Sequence, residues 1–264
     1  MTALKKAILI TLSVVAVLVL TFVVLVGIYF LAPKSDPLYV AHRGYRNAYV
    51  DNTEASFRAA AEMDYYGIET DIRKTADGVY VCNHDDDGVK YADGSIADVK
   101  TSTYAALSAK PLLNTKTNED AYICTFESYL EVCKSGNKVA VIELKEDFSA
   151  EDLTEILHIV DEKYDRAKVS VISFYFNALL RVKQADPTVC LQYLSETKND
   201  PTFDRCLEEK ISISIRQSIL TKKIVKTFHK AGLTVNTWTV NKKFDRNFVR
   251  LKGVDYITSD VFDK

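Results

Sequence analysis

Residues 7–32 read AILITLSVVAVLVLTFVVLVGIYFLA, 26 positions without a charge. At about 1.5 Å per residue a helix of this run exceeds the roughly 30 Å hydrocarbon core of a bilayer, and it is expected to span one. A buried core helix of that length would show a polar face. A cleaved signal peptide has an apolar stretch of about 7–15 residues and a small-residue cleavage site, whereas this run ends in Leu31-Ala32-Pro33. After Pro37 the pattern changes to short β-branched runs that alternate with amphipathic segments. Strands are predicted at 39–41, 67–73, 79–83, 138–144, 168–174, 188–194, 211–215, 233–240 and 254–258, and helices at 53–66, 150–164, 176–185, 218–231 and 244–251. Such alternation is that of parallel β/α units. Residues 86–123 form one long excursion without clear strands.

Only Thr75-Ala76-Asp77-Gly78 separates the second predicted strand from the third. A parallel crossover needs about a dozen residues, so these two strands form a hairpin. A four-residue loop would pair Lys74 with Val79, Asp71 with Cys82 and Glu69 with His84. Glu69 and Asp71 share a face because strand side chains alternate with period two. With the hairpin strand set aside, eight β/α units remain, which predicts a (β/α)8 TIM barrel with its catalytic groups at the carboxyl ends of the strands. The expected organisation is a transmembrane anchor and linker over 1–34 and a barrel domain over 35–264, with an insertion at about 86–123.

Composition narrows the classes. With 47% hydrophobic and 27% charged residues, nine Gly and five Pro, the chain is neither disordered nor collagen-like. Lys5, Lys6 and Lys34 are the only charged residues in the first 34, so a net charge of −2 leaves the body at about −5. A mildly acidic body argues against nucleic acid as partner and against a generic electrostatic grip on anionic lipid. Lys5 and Lys6 ahead of the span favour a single-pass protein of the cell membrane with a cytoplasmic amino terminus and an extracytoplasmic domain. Cys82, Cys124, Cys133, Cys190 and Cys206 are odd in number and lack a Cys-x-x-Cys pair. They suit neither a disulfide framework nor a zinc site and read as small core residues.

Of four histidines, His158 and His229 fall in predicted helices and read as surface or boundary residues, whereas His42 and His84 end strands. Glu69-Thr70-Asp71 puts two carboxylates on one strand face, and Glu143-Leu144-Lys145 closes the fourth barrel strand. Three carboxylates from different strands make an oxygen-rich site for a hard cation, Mg2+ or Ca2+. Two histidines beside it supply a general acid and a general base, while Arg43 and Lys145 can hold an anion, a combination suited to phosphodiester cleavage. Asn83-His84-Asp85-Asp86-Asp87-Gly88 matches the first half of a calcium-binding EF-hand loop. Its twelfth position is Gly94 where a bidentate Glu is needed. Walker, Gly-x-Ser-x-Gly and dinucleotide-binding motifs are absent.

From Tyr39 onward the sequence resembles the glycerophosphodiester phosphodiesterases. The motifs that carry the resemblance are His42-Arg43-Gly44, Asn52-Thr53 with Phe57 and Ala60, Glu69-Thr70-Asp71, Thr75-Ala76-Asp77-Gly78, His84-Asp85 and Glu143-Leu144-Lys145. Ser173-Phe174, Trp238-Thr239-Val240-Asn241, Gly253-Val254-Asp255 and Thr258-Ser259-Asp260 follow in order. The resemblance implies metal-dependent hydrolysis of a glycerophosphodiester to glycerol phosphate and an alcohol. Glu69, Asp71 and Glu143 would bind the metal, and His42 and His84 would form the acid/base pair. Arg43 and Lys145 would contact phosphate, Trp238 would line the glycerol pocket, and the insertion would control head-group size. Two departures stand out: Val50-Asp51 replaces the family's usual Pro-Glu, and Cys124-Thr125-Phe126-Glu127 replaces Pro-Thr-Leu-Glu. The alternatives are a phospholipase-type reaction that gives a cyclic phosphate from a lysophospholipid-like substrate, and a catalytically silent membrane-tethered binding domain.

Overall fold

The computed structural model describes residues 3–31 and 35–262. The first element, α1 (Ala3–Leu31), contains an apolar window, Ile10–Gly27, of mean hydropathy 2.8, long enough to cross a bilayer. The strands follow as β1 (Leu38–Ala41), β2 (Gly67–Lys74), β3 (Tyr80–Cys82), β4 (Val89–Lys90), β5 (Ile96–Ala97), β6 (Val139–Leu144), β7 (Val169–Ser173), β8 (Cys190–Ser195), β9 (Ser212–Arg216), β10 (Val235–Trp238) and β11 (Tyr256–Ser259). The helices of the body are α2 (Glu54–Ala61), α3 (Tyr104–Ser108), α4 (Phe126–Ser135), α5 (Ala150–Lys163), α6 (Phe176–Ala185), α7 (Thr202–Glu208), α8 (Lys222–Lys230) and α9 (Lys243–Arg250).

Parallel pairing runs β1-β2-β6-β7-β8-β9-β10-β11 and returns to β1, closing an eight-stranded barrel with helices between the strands. Val-Ala-Val-Ile in β6 and Val-Ser-Val-Ile in β7 are the β-branched runs that suit strands buried on both faces. Outward residues such as Ala140, Ile142 and Val171 pack with Leu153, Leu157 and Leu179 of the surrounding helices. Inside the barrel, Val40, Val141, Ile172 and Leu194 form a small apolar layer. Beside it lie hydrogen-bonded polar groups, Gln192 with Ser170 and Asn236 with Ser214 and Thr258. Helix starts follow the sequence closely: Thr53, Thr125, Ser149 and Thr221 each accept a backbone N–H of the first turn.

The hairpin register differs from the expected one. The Thr75 N–H donates to the Val79 carbonyl, and the Val79 N–H donates to Thr75 Oγ1, both at 2.9 Å. The loop is therefore three residues, Ala76-Asp77-Gly78, with Gly78 at φ 87°, the left-handed position that such loops require. Lys74 pairs with Tyr80 and Ile72 with Cys82, and the one-residue slip changes every cross-strand partner. Asn83 donates to the Asp71 carbonyl at 2.9 Å, and β3 ends at Cys82, so His84 is not paired with Glu69. The common face of Glu69 and Asp71 depends only on period two and is preserved.

Within 86–123 lie a two-stranded sheet, β4 with β5, and the short α3. They close over their own cluster of Val81, Val89, Tyr91, Val99, Leu107 and Ile123. Strands of two residues carry no readable periodicity, which explains why the segment looks featureless in sequence. Four of the five cysteines are buried as expected, but Cys190 is exposed at the start of β8.

Candidate active site

The carboxyl ends of the barrel strands bring the candidate residues to one cavity of about 460 Å³. His42, Arg43, Glu69, His84, Glu143, Lys145 and Trp238 all line it. Ile172, Phe174, Leu194, Glu196, Ser214 and Arg216, from the ends of β7, β8 and β9, line it as well, with Arg46, Thr239 and Thr258. Among the described residues, none from 86–123 lines this cavity, but Gly88, Val89, Lys90, Leu112, Leu113 and Ile123 of the insertion line a second cavity that shares His84. Lys90 donates to Asp85 at 2.7 Å, and Asp85 lies 3.1 Å from His84 Nδ1.

Glu69 and Asp71 project inward from β2 and Glu143 from β6, all buried, with one oxygen of each within 4.8 Å of the others. Burial, then Asp71 and Glu143, pushes the Glu69 carboxyl well above the usual carboxylate range. Burial and Asp71 push Glu143 up to about 7, against the opposing pull of Lys145. Asp71 behaves oppositely: despite burial, Arg43, Lys145 and His84 hold it below its ordinary value, aided by the Asn52 amide. Lys145 Nζ lies 3.0 Å from Glu143 and 3.7 Å from Asp71. Asp71 Oδ1 is buried without a hydrogen-bond partner among the described residues. A set of three oxygen donors that repel one another, one with an unused buried lone pair, fits a hard divalent cation.

The turn after β1 is strained by design. Arg43 has φ 55° and Gly44 φ 79°, which aims the Arg43 N–H at Glu69 Oε2, 2.8 Å away. The Arg43 guanidinium lies 3.2 Å from Asp71 and donates to Asp51 at 3.1 Å. The departure at Val50-Asp51 thus still supplies Arg43 with an acid. A Cβ on Gly44 would enter the envelope of Ser56 Oγ and lie 2.7 Å from the Ser56 carbonyl carbon. Gly44→Ala is therefore expected to cost about 3 kcal/mol through left-handed strain and overpacking, lowering Tm by roughly 6–12 °C. A thermal melt within a degree or two of wild type would contradict this.

Three supporting residues had no role assigned from sequence, although Asn52 and Asp260 stand in the motifs that carry the resemblance. Asp260, just past β11, accepts from His42 Nδ1 at 2.7 Å and also contacts Arg46 at 3.3 Å and Asn241 at 2.7 Å. Burial raises the Asp260 pKa, but the hydrogen bond from His42, with Arg46 and Asn241, holds it far below the usual carboxylate range. Burial lowers the His42 pKa, partly offset by Asp260. Asp260 belongs to the Thr258-Ser259-Asp260 motif, but its contact with His42 is made only when β11 closes the barrel against β1. Asn52, at φ 56°, donates to Asp71 at 2.8 Å and accepts from Thr70 at 2.9 Å, fixing the β2 acids from outside. Arg73 reaches the carbonyls of Asn83 and His84 at 3.1 and 2.9 Å, tying down the segment that carries His84. His84 itself is half-exposed, its pKa lowered by burial against the pull of Asp71. Trp238 donates to the Ser214 carbonyl at 3.0 Å and meets Phe174 edge-to-face at 5.9 Å.

The chain is similar to known proteins. The chain is 25% identical over 228 residues to a glycerophosphodiester phosphodiesterase of Caldanaerobacter subterraneus, covering 84% of this chain and 93% of that one. A crystal structure of a glycerophosphodiester phosphodiesterase from Parabacteroides distasonis superposes with a TM-score of 0.72 at 26% identity, over 86% of this chain and 94% of that one. An Oleispira antarctica phosphodiesterase, solved with its product sn-glycerol-3-phosphate, gives a TM-score of 0.76 at 22% identity, over 85% and 93%. Residues 42–264, from the strand-end histidine through the closing β11, match the glycerophosphoryl diester phosphodiesterase family, and the chain belongs to it.

Proposed function

We propose that the protein hydrolyses a glycerophosphodiester to glycerol phosphate and an alcohol, using His42 and His84 for proton transfer and a divalent cation held by Glu69, Asp71 and Glu143. The observation that carries this reading is a cavity lined by Glu69, Glu143, His42 and His84, with the buried Asp71 carboxylate within 4.8 Å of both acids. When bound, Mg2+ or Ca2+ would offset the repulsion among the acids and polarise a phosphoryl oxygen. Arg43 and Lys145, both half-buried beside the acids, place fixed positive charge where phosphoryl charge grows. One histidine accepts a proton from the attacking water and the other donates one to the leaving oxygen. The Asp260 hydrogen bond fixes the ring orientation of His42. Trp238 and Phe174 supply the apolar wall against which the carbon skeleton of the glycerol packs.

The reading extends to the amino terminus. In it, α1 is a single-pass anchor, with Lys5 and Lys6 on the cytoplasmic side and the barrel outside the cytoplasm. The test is release of glycerol 3-phosphate from glycerophosphocholine by the full chain, with EDTA, Mg2+ and Ca2+ in parallel. Metal-dependent release is expected. A folded protein that binds substrate with no turnover would overturn the reading in favour of a silent binding domain, and a cyclic phosphate seen by phosphorus NMR would replace water with a substrate hydroxyl as nucleophile.

A further inference from the structure

The outer wall formed by α8 and α9 carries charge opposite to that of the body. Residues 221–253 contain nine Lys and Arg and a single acid, Asp245, although the body as a whole is acidic. The two helices are consecutive in the ring, flanking β10, and Lys252 Nζ ties them by donating to the Leu220 carbonyl at 2.8 Å. Lys222, Lys223 and Lys226 face outward on α8, and Lys243, Phe244 and Phe248 on α9. The two rings stand one turn apart and are 64% and 49% exposed. Large exposed rings set among lysines on a helix face are the pattern of an element that lies in a membrane interface.

The same wall is tied to the anchor. The Ser35 N–H donates to the Arg250 carbonyl at 3.0 Å, and Arg250 Nε donates back to the Ser35 carbonyl at 2.9 Å. Three residues, 32–34, separate Ser35 from the end of α1, a reach of at most about 14 Å. The carboxyl end of α9, hydrogen-bonded to Ser35, therefore stays within about 20 Å of the point where α1 ends.

We propose that the α8–α9 wall docks on the anionic surface of the bilayer that α1 crosses, its lysines meeting lipid phosphates and Phe244 and Phe248 entering the headgroup region. The inference rests on α1 being a membrane anchor. Net charge gave the opposite expectation because it averages over the whole body, whereas screening confines electrostatic attraction to about 8–10 Å. Docked by this wall, the barrel lies on its side, and its mouth opens along the membrane surface rather than away from it.

The full chain in nanodiscs of phosphatidylcholine, with or without one-third phosphatidylglycerol, provides the test, with lysine acetylation read by mass spectrometry. Lys222, Lys223, Lys226 and Lys243 are expected to react about threefold or more slowly in the anionic discs, and 1 M salt should erase the difference. Lys116, exposed in the insertion, should react equally in both. In a Lys222→Glu, Lys226→Glu, Lys243→Glu variant, Lys223 should become as reactive in anionic as in neutral discs. Equal reactivity in wild type, with the chain still retained in vesicles after alkaline carbonate, overturns docking and leaves the anchor standing. Release by carbonate overturns both. Protection by soluble polyphosphate in neutral discs, without protection by phosphatidylglycerol, assigns the wall to a polyanion and overturns the lipid as partner.

Discussion

Replacing His42 by Asn is expected to lower kcat/KM for glycerophosphodiester hydrolysis by about 10²–10⁴-fold, with Tm unchanged within about 2 °C. The ring touches the carboxylate of Asp260, which keeps Arg46 and Asn241 as partners when the imidazole is gone, so no buried charge is stranded. Asp260→Asn should give a smaller loss, about tenfold, and a diagnostic pH shift. Burial already lowers the His42 pKa, and the Asp260 hydrogen bond works against that lowering. Removing the carboxylate therefore lowers it further, and the limb of the kcat/KM profile set by His42 moves to lower pH. Movement of the rising limb identifies His42 as the base, and movement of the falling limb identifies it as the acid. Wild-type activity in the His42 variant would remove this residue from proton transfer.

A second substitution should separate stability from activity. Glu143→Gln is expected to abolish measurable turnover while making the metal-free protein more stable at pH 8. A carboxyl raised from its ordinary value to about 7 binds its proton more tightly in the folded than in the unfolded state. Metal-free stability is therefore lost as pH climbs from about 4.5 to 7, by about 3 kcal/mol at full effect. Glutamine removes that dependence, and Tm at pH 8 should rise by roughly 6–12 °C. Lys145 does not reverse the sign, because it keeps Asp71 at 3.7 Å after Glu143 is neutralised. Added Mg2+ or Ca2+ should raise the wild-type Tm more than that of the variant. A variant less stable than wild type at pH 8 in EDTA would show that the Lys145–Glu143 pair outweighs the repulsion among the acids.

The barrel was legible because its strands are β-branched runs buried on both faces, and because each β/α unit repeats the same punctuation, with Thr or Ser capping many of the helices. The site was legible where strand period or a local motif fixes direction, as for Glu69, Asp71, Glu143 and Lys145. What stayed hidden depends on contacts distant in sequence or on single-atom substitutions. Asp260 is 218 residues from His42, and no local pattern joins them. The hairpin register turned on one side-chain oxygen, that of Thr75, standing in for a backbone acceptor. The basic wall was hidden for another reason: α8 and α9 are separated by a strand, and only the ring of helices places their charges side by side.

The meeting of His42 and Asp260 bears on how the protein is made. Their strands, β1 and β11, are the first and last of the barrel and pair directly along Leu38 to Ala41. Long-range pairings of this kind form late, after the entropic cost of closing the intervening chain has been met. Until β11 is in place, β1 and β10 each expose an unpaired edge, and His42 has no Asp260 to orient it. A chain that lacks β11 thus exposes two strand edges and leaves His42 without the carboxylate that orients it, and both are resolved by the same closure of the barrel.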